Sequence, residues 1–441
     1  MTTTYIDQKH VWHPFTQGKI APVPIPIVKA EGAVLLGEDG KEYLDMISSW
    51  WVNTHGHCHP KITEAITEQA KNFAHVMFAG FTHEPALQLS SKLCELLPGN
   101  KLSKVFFSDS GAFAVETALK IALQYWQNKG QKHKTRFISF QCGYHGDSFG
   151  AMAVGKTCGF NYVPFEKHLF TVDFVPYASH WIGDQDIEDK EKIALEALEL
   201  QIIENGKNTA ALIVEPLIQA AGGFHFCRPE FIQSVVRLCN ENQILVIFDE
   251  VMTGFGRTGK MFACEKAGVI PDIICLAKGM SGGFLPIAAT ITSQEVYDAF
   301  VSSDINNALL HGSTYAANPL GCASANASLS LFEEENTFAK IEKISQIHLE
   351  RITELAKKLP IVKRPRVMGD VAAFNLINKN ASYDAKIAQL LRPKFLEHGL
   401  LIRPFGNVVH IMPPYCITEN QLNYTYSKIE EILNDIPKNY A

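Results

Sequence analysis

Two side chains are placed where a cleft would collect them. Val246-Ile-Phe-Asp249-Glu250 is an apolar run ending in carboxylates, and about thirty residues on Pro271-Asp-Ile-Ile-Cys-Leu-Ala-Lys278-Gly279 is a second run ending in a lysine. In an open α/β sheet the ligand crevice lies beyond the carboxyl ends of the strands, so both groups would enter one site. A lysine able to form a Schiff base, beside an acid that keeps a pyridinium protonated, is the pair that pyridoxal 5'-phosphate chemistry needs. A structural ion pair at two strand ends would read the same way.

A second motif, Phe106-Phe-Ser-Asp109-Ser110-Gly111-Ala112, runs from a strand through small residues into a helix. Backbone N–H groups and the helix dipole at such a start suit a phosphate; an ordinary N-cap by Ser110 or Asp109 is the plainer reading. A third, Gln141-Cys-Gly-Tyr144-His145-Gly146-Asp147-Ser148, sets an aromatic ring and a histidine between glycines, which suits a loop laying a ring on a planar cofactor. Gly254-Phe-Gly256-Arg257-Thr-Gly259-Lys260 imitates nucleotide motifs. Met261 stands where a P-loop needs Ser or Thr, and no acidic residue ends a second strand about 20 positions later as a dinucleotide site needs, so the glycines are read as a sharp turn with Arg257 available to a substrate. His55, His57, Cys58 and His59 are too crowded for one tetrahedral metal site. Trp50 and Trp51 cannot both face one interior on an extended chain, so one of them is expected to line a pocket.

The elements that must position these groups follow from periodicity. Apolar runs at Lys104–Ser108, Arg136–Phe140, Ala210–Glu215, Leu245–Asp249, Ile273–Leu276 and Ile287–Ile291 alternate with helical spacing at Ala114–Asn128 and Arg228–Asn240. That alternation predicts a mostly parallel sheet covered on both faces, an α/β fold, over residues 61–330. A long charged amphipathic stretch over Phe332–Leu359, then short strands near Val367–Asn375, Leu400–Arg403 and Val408–Met412, predict a smaller α+β domain over 331–441. Residues 1–60 contribute to it, with a proline-rich extended arm over 19–30 and an Asp39-Gly40 hairpin.

The chain has 441 residues, 46% of them hydrophobic and 20% charged, with a net charge of −6. Mild acidity without a basic cluster argues against a nucleic-acid partner. The start lacks a leader pattern and no apolar run is long enough to span a bilayer, so a cytoplasmic location is expected. Ten scattered cysteines without a Cys-x-x-Cys fit reduced, buried thiols better than a disulfide framework.

Together with Trp12-His-Pro-Phe15-Thr-Gln, Met46-Ile-Ser-Ser-Trp-Trp, Leu310-His-Gly-Ser-Thr-Tyr and Ile402-Arg-Pro-Phe-Gly, these motifs resemble the class III (ornithine-type) aminotransferases over nearly the whole chain. The Asp-Glu…Lys core marks the class. The tryptophan pair and Arg403-Pro404-Phe405-Gly406 narrow it to the biotin-biosynthesis branch that moves an amino group from S-adenosylmethionine to 8-amino-7-oxononanoate, giving 7,8-diaminononanoate by a ping-pong course.

The resemblance implies a fold-type I pyridoxal-phosphate-dependent transferase, a homodimer with shared active sites. In it Lys278 is the Schiff-base lysine, Asp249 the partner of the pyridine nitrogen and Tyr144 the ring that stacks on the cofactor. Gly111 and Ala112 hold the phosphate, and Ser313 and Thr314 reach it from the other subunit. Trp50, Tyr144, Lys278, Gly312 and Arg403 contact substrate. Trp51 and Phe405 complete an apolar wall with Arg403 at its end for a carboxylate. Phe15 stands where some members have Tyr and Ala112 where Ser is common, each removing one hydrogen bond, a net of about 0.5–1.5 kcal/mol. The alternatives are lysine or another ω-amino donor with the same acceptor, an aminomutase, and a non-catalytic pyridoxal-phosphate-binding regulator, for which residues 1–50 are too short to supply a DNA-binding domain.

Overall fold

The structure, a computed structural model, describes residues 3–156, 164–377 and 386–436. Its centre is a sheet of seven strands: β1 (Leu102–Ser108), β2 (Arg136–Phe140), β3 (Asp173–Val175), β4 (Thr209–Val214), β5 (Leu245–Asp249), β6 (Ile273–Leu276) and β7 (Ala288–Ser293). They lie in the order β1-β7-β6-β5-β4-β2-β3, with β7 antiparallel to both neighbours and every other pair parallel. Every residue of β4, β5, β6 and β7 is buried, which is why β5 up to Asp249 and β6 read as unbroken apolar runs.

The pleat sends alternate side chains to opposite faces. Ile213, Ile247 and Ile273 pack with Ala114, Ala118 and Ala122 of α1 (Gly111–Asn128) on one side. Leu212, Val246, Phe248 and Ile274 share a core with Phe231, Ile232 and Val235 of the helix Pro229–Glu241 on the other. Register pairs Asp249 with Cys275, so Lys278 emerges three residues beyond that level on the neighbouring strand. The carboxyl ends of β1, β2, β4, β5 and β6 therefore share one edge of the sheet.

A second core unites Ala33 and Met46 with Ile344, Phe374, Leu391, Val409 and Tyr426. The strands Ile27–Glu31, Val34–Gly37 and Glu42–Asp45 form one sheet with Leu400–Leu401, so both ends of the chain meet there. This shared core is the basis for proposing a large unit over 61–330 and a smaller one made by 331–441 with residues 1–60. The expected hairpin turns at Gly40 with φ +80°.

Three local readings change. The stretch 332–359 belongs to two helices, Pro319–Glu334 and Thr337–Lys358, broken at Asn336 with φ +49°. The strand expected over 367–375 is a hairpin, Val362–Met368 and Val371–Leu376, turning through Gly369 at φ +59°. Among the described residues eight cysteines are free and Cys142 is disulfide-bonded, a correction at that position to the reduced thiols expected. Among the described residues, no helix is long and apolar enough to cross a membrane.

Candidate active site

At the shared strand edge opens a cavity of about 540 Å³, lined among others by Ser110, Gly111, Ala112, Tyr144, Asp249 and Lys278. Asp249 ends β5 and is buried. Its Oδ2 accepts from His145 Nδ1 at 2.7 Å and its Oδ1 from the Val251 backbone N–H at 3.1 Å. Lys278 follows β6 with φ +42°, a conformation that lysine rarely adopts. Burial lowers its pKa from the usual lysine range, Asp249 and Glu215 pull it partly back, and Arg257 lowers it again. A shift in this direction is the one that a lysine acting as a base needs. Its Nζ lies 4.7 Å from the centroid of the Trp51 ring.

Glu215, directly after β4, is a site residue that the apolar pattern marks only as a strand end. Its carboxylate accepts the backbone N–H groups of Tyr144 at 2.9 Å and Ala220 at 3.0 Å, fastening the Tyr144–His145 loop to the sheet. Burial raises its pKa to about 7, with His145 opposing and Asp249 adding to the shift. The signal was present: Val214-Glu215-Pro216 is an apolar strand ending in an acid, the same pattern as Phe248-Asp249. Tyr144 itself is half-buried, its hydroxyl donating to Asp147 Oδ2 at 2.8 Å.

The residues present fit pyridoxal phosphate. Ser110 caps α1, its Oγ accepting from Phe113 N–H at 3.4 Å, so the helix start opens on the cavity. A Cβ at Gly111 would come within 2.7 Å of Val251 Cγ1, so a side chain there would force Val251 to shift. Asp109 Oδ1 and His145 Nε2 are buried beside the cavity without a hydrogen-bond partner, as polar groups awaiting a ligand would be. The plainer N-cap is present, and the helix start that it caps lines the cavity.

The tryptophan pair is not extended. Ser48, Ser49, Trp50 and Trp51 have φ of +48°, +45°, +73° and +71°, a left-handed turn that costs L-residues roughly 1–2 kcal/mol each. It sends the two indoles apart. Trp51 is buried, lines the cavity, donates its N–H to His410 Nε2 at 3.3 Å, and sits 5.9 Å from the Phe405 ring. Burial drives the His410 pKa down to about 3, so that ring stays neutral and able to accept. Trp50 faces an outer pocket of about 350 Å³ with Tyr43, Arg392 and Arg403. The Arg403 guanidinium carbon is 5.0 Å from the Trp50 ring centroid and the Phe15 ring is 5.5 Å away.

Arg257 is a correction. It is almost fully buried and does not line the cavity; its donors go to Asp370 Oδ2 at 2.6 Å and to the carbonyls of Pro413, Trp51 and Asn53. It ties the glycine turn to the tryptophan segment instead of meeting a substrate. The nucleotide-like glycines turn with φ +95° at Gly256 and +91° at Gly259. The short helix Ala263–Ala267 that follows has its N-terminus taken by Glu250, which accepts from Ala263 N–H and Cys264 N–H at 2.5 and 2.7 Å. No phosphate could use that end while Glu250 occupies it. The histidines diverge: His57 bonds Asp45, His59 bonds Glu335, and His55 packs edge-on to Phe332. Gly312, Ser313 and Thr314 lie on a surface loop outside this cavity, beside the exposed Leu310 and Tyr315.

Residues 16–433 match the family model described as aminotransferase class-III. The chain is 48% identical to the adenosylmethionine-8-amino-7-oxononanoate aminotransferase of Synechococcus elongatus, covering 97% of this chain and 99% of that one. A crystal structure of the enzyme of that name from Methanocaldococcus jannaschii superposes with a TM-score of 0.89 at 34% identity, over 98% of this chain and 99% of the other. An omega transaminase from Pseudomonas jessenii in complex with PMP gives a TM-score of 0.91 at 27% identity, over 99% and 98% of the two chains.

Proposed function

Since the chain belongs to the class III aminotransferases, we propose that its reaction moves an amino group from S-adenosylmethionine to 8-amino-7-oxononanoate, giving 7,8-diaminononanoate in biotin biosynthesis. The likeness to enzymes of that name runs the length of the chain. The observation that carries the chemistry is the convergence of Lys278, Asp249 and the start of α1 on one cavity.

When bound, pyridoxal phosphate supplies a carbonyl that carries the amino group and a ring that draws electrons from the reacting carbon. Gly111 and Ala112 would hold its phosphate with backbone N–H groups at the helix start. Asp249 would face the pyridine nitrogen, its carboxylate fixed by His145 and Val251 N–H. Tyr144 would cover the ring, on a loop that Glu215 fastens. Lys278 would hold the cofactor at rest and, once free of it, its Nζ would take the proton from the carbon bearing the amino group and return it, a role that its lowered pKa suits.

The same cavity must take both substrates in turn. Trp51, near Phe405, would wall the inner side of the tryptophan turn and Trp50 its outer side, where Arg403 would receive the carboxylate of the long acceptor. In the homodimer, Ser313 and Thr314 of one subunit would reach the phosphate of the other, with Gly312 near its substrate. What supports this is their surface loop, outside their own cavity, where Ser313 Oγ is buried without a hydrogen-bond partner. Product formation tests the reading: 7,8-diaminononanoate should form with both substrates and cofactor present and be absent when either substrate is omitted.

A further inference from the structure

We propose that Asp45 is a positioning residue for the Trp50–Trp51 wall, holding the left-handed turn that aims both indoles. The inference rests on the proposed reaction only in assigning that wall to the acceptor.

The turn joins the two halves of the substrate space. On its inner side Trp51 faces the cavity and Lys278; on its outer side Trp50 meets Phe15 and Arg403. Four successive L-residues at positive φ have no local preference for that path, so the surroundings must impose it. Asp45 is fully buried at the end of the strand that leads into the turn. Its Oδ1 accepts from Ser49 N–H at 2.9 Å and from Ile47 N–H at 3.4 Å; its Oδ2 accepts from Ser49 Oγ at 2.7 Å. Both donors of Ser49 thus end on one carboxylate. His57 Nε2, 2.9 Å from the same Oδ2, helps to fix the carboxylate. Two further ties, Ser48 Oγ to the Met412 carbonyl at 2.8 Å and Arg257 Nη2 to the Trp51 carbonyl at 3.2 Å, anchor the start and the end of the turn and leave its centre to Asp45. Neither Asp45 nor His57 lines the cavity, so neither would touch the reacting atoms.

The test uses the cofactor-loaded enzyme and the variants Asp45→Ala, Asp45→Asn and Ser49→Ala. Hydrogen exchange read by mass spectrometry over residues 46–54 should accelerate by about tenfold or more in Asp45→Ala, with β5 and β6 unchanged. The acceptor KM should rise by about fivefold or more with kcat little altered, and Ser49→Ala, which keeps the backbone bond, should lie between wild type and Asp45→Ala. Unchanged exchange over 46–54 would overturn the proposal. So would faster exchange with an unchanged KM, which would leave Asp45 a purely structural residue. If Asp45→Ala does not fold, Asp45→Asn and Ser49→Ala carry the same two readouts. The exchange arm needs no substrate, so a wild type that fails to use the acceptor would refute the functional reading separately.

Discussion

His145 Nδ1 lies 2.7 Å from Asp249 Oδ2, and both side chains are buried. A carboxylate only accepts, so the imidazole proton sits on Nδ1 and the acid is locked in one orientation. Glu215 holds the loop carrying His145 to the sheet through Tyr144 N–H. The acid at the end of β5 is therefore aimed before any ligand arrives, which is the condition for its charge to act without reorganisation.

Lys278→Ala should bind cofactor without the visible absorbance of the lysine-bound form and lose turnover by about 10²–10⁴-fold or more. Spectra of the reconstituted variant, with a product assay, check this; retained activity would remove Lys278 from the mechanism.

Arg403→Ala should raise the acceptor KM by about 10–100-fold, the weight of one charged hydrogen bond of roughly 1.5–3 kcal/mol, with a smaller effect on the donor. Steady-state kinetics varying each substrate separately would show it. Equal changes for both substrates would count against a carboxylate role.

Arg257→Ala should act on stability instead. It leaves Asp370 buried and unpaired, a loss of about 3–5 kcal/mol. Denaturant unfolding measures the loss, and an unchanged unfolding midpoint would contradict the structural role.

Ala112→Ser restores a hydroxyl at the helix start and should tighten cofactor binding by about 2–10-fold, corresponding to roughly 0.5–1.5 kcal/mol. A fluorescence titration of the apoenzyme decides; weaker binding would mean that the side chain at position 112 points away from the phosphate.

Burial raises the Glu250 pKa from an ordinary 4.5 to about 7. Between those values the folded chain holds a proton that the unfolded chain has lost. The associated stability is full below the lower value and declines as pH rises to the upper one, by on the order of 3 kcal/mol. Glu250→Gln lacks that titration, so its Tm relative to wild type should improve between pH 5 and pH 8. Parallel curves would contradict the assignment.

Much of this site was legible because strand ends are legible. Asp249 and Lys278 end apolar runs whose burial on both faces makes them continuous in sequence, and the helix start at Ser110 carries its own cap signal. Side-chain fate inside turns was not. Arg257 sits in a glycine run that resembles an open loop, yet Asp370, 113 residues away, claims its guanidinium. The adjacent tryptophans diverge through a left-handed turn imposed by Asp45 and His57, contacts that no periodicity encodes. Glu215 carried the same signature as Asp249, and only its contacts with Tyr144 and Ala220 reveal what it holds.

The most direct measurement is a half-reaction. The pyridoxal-phosphate-loaded enzyme is mixed with S-adenosylmethionine without acceptor while the visible absorbance of the lysine-bound cofactor is followed. The account predicts that the band disappears and returns when 8-amino-7-oxononanoate is added. A band unmoved by S-adenosylmethionine but bleached by lysine would contradict the proposed donor, and one unmoved by either would contradict the aminotransferase mechanism built on Lys278.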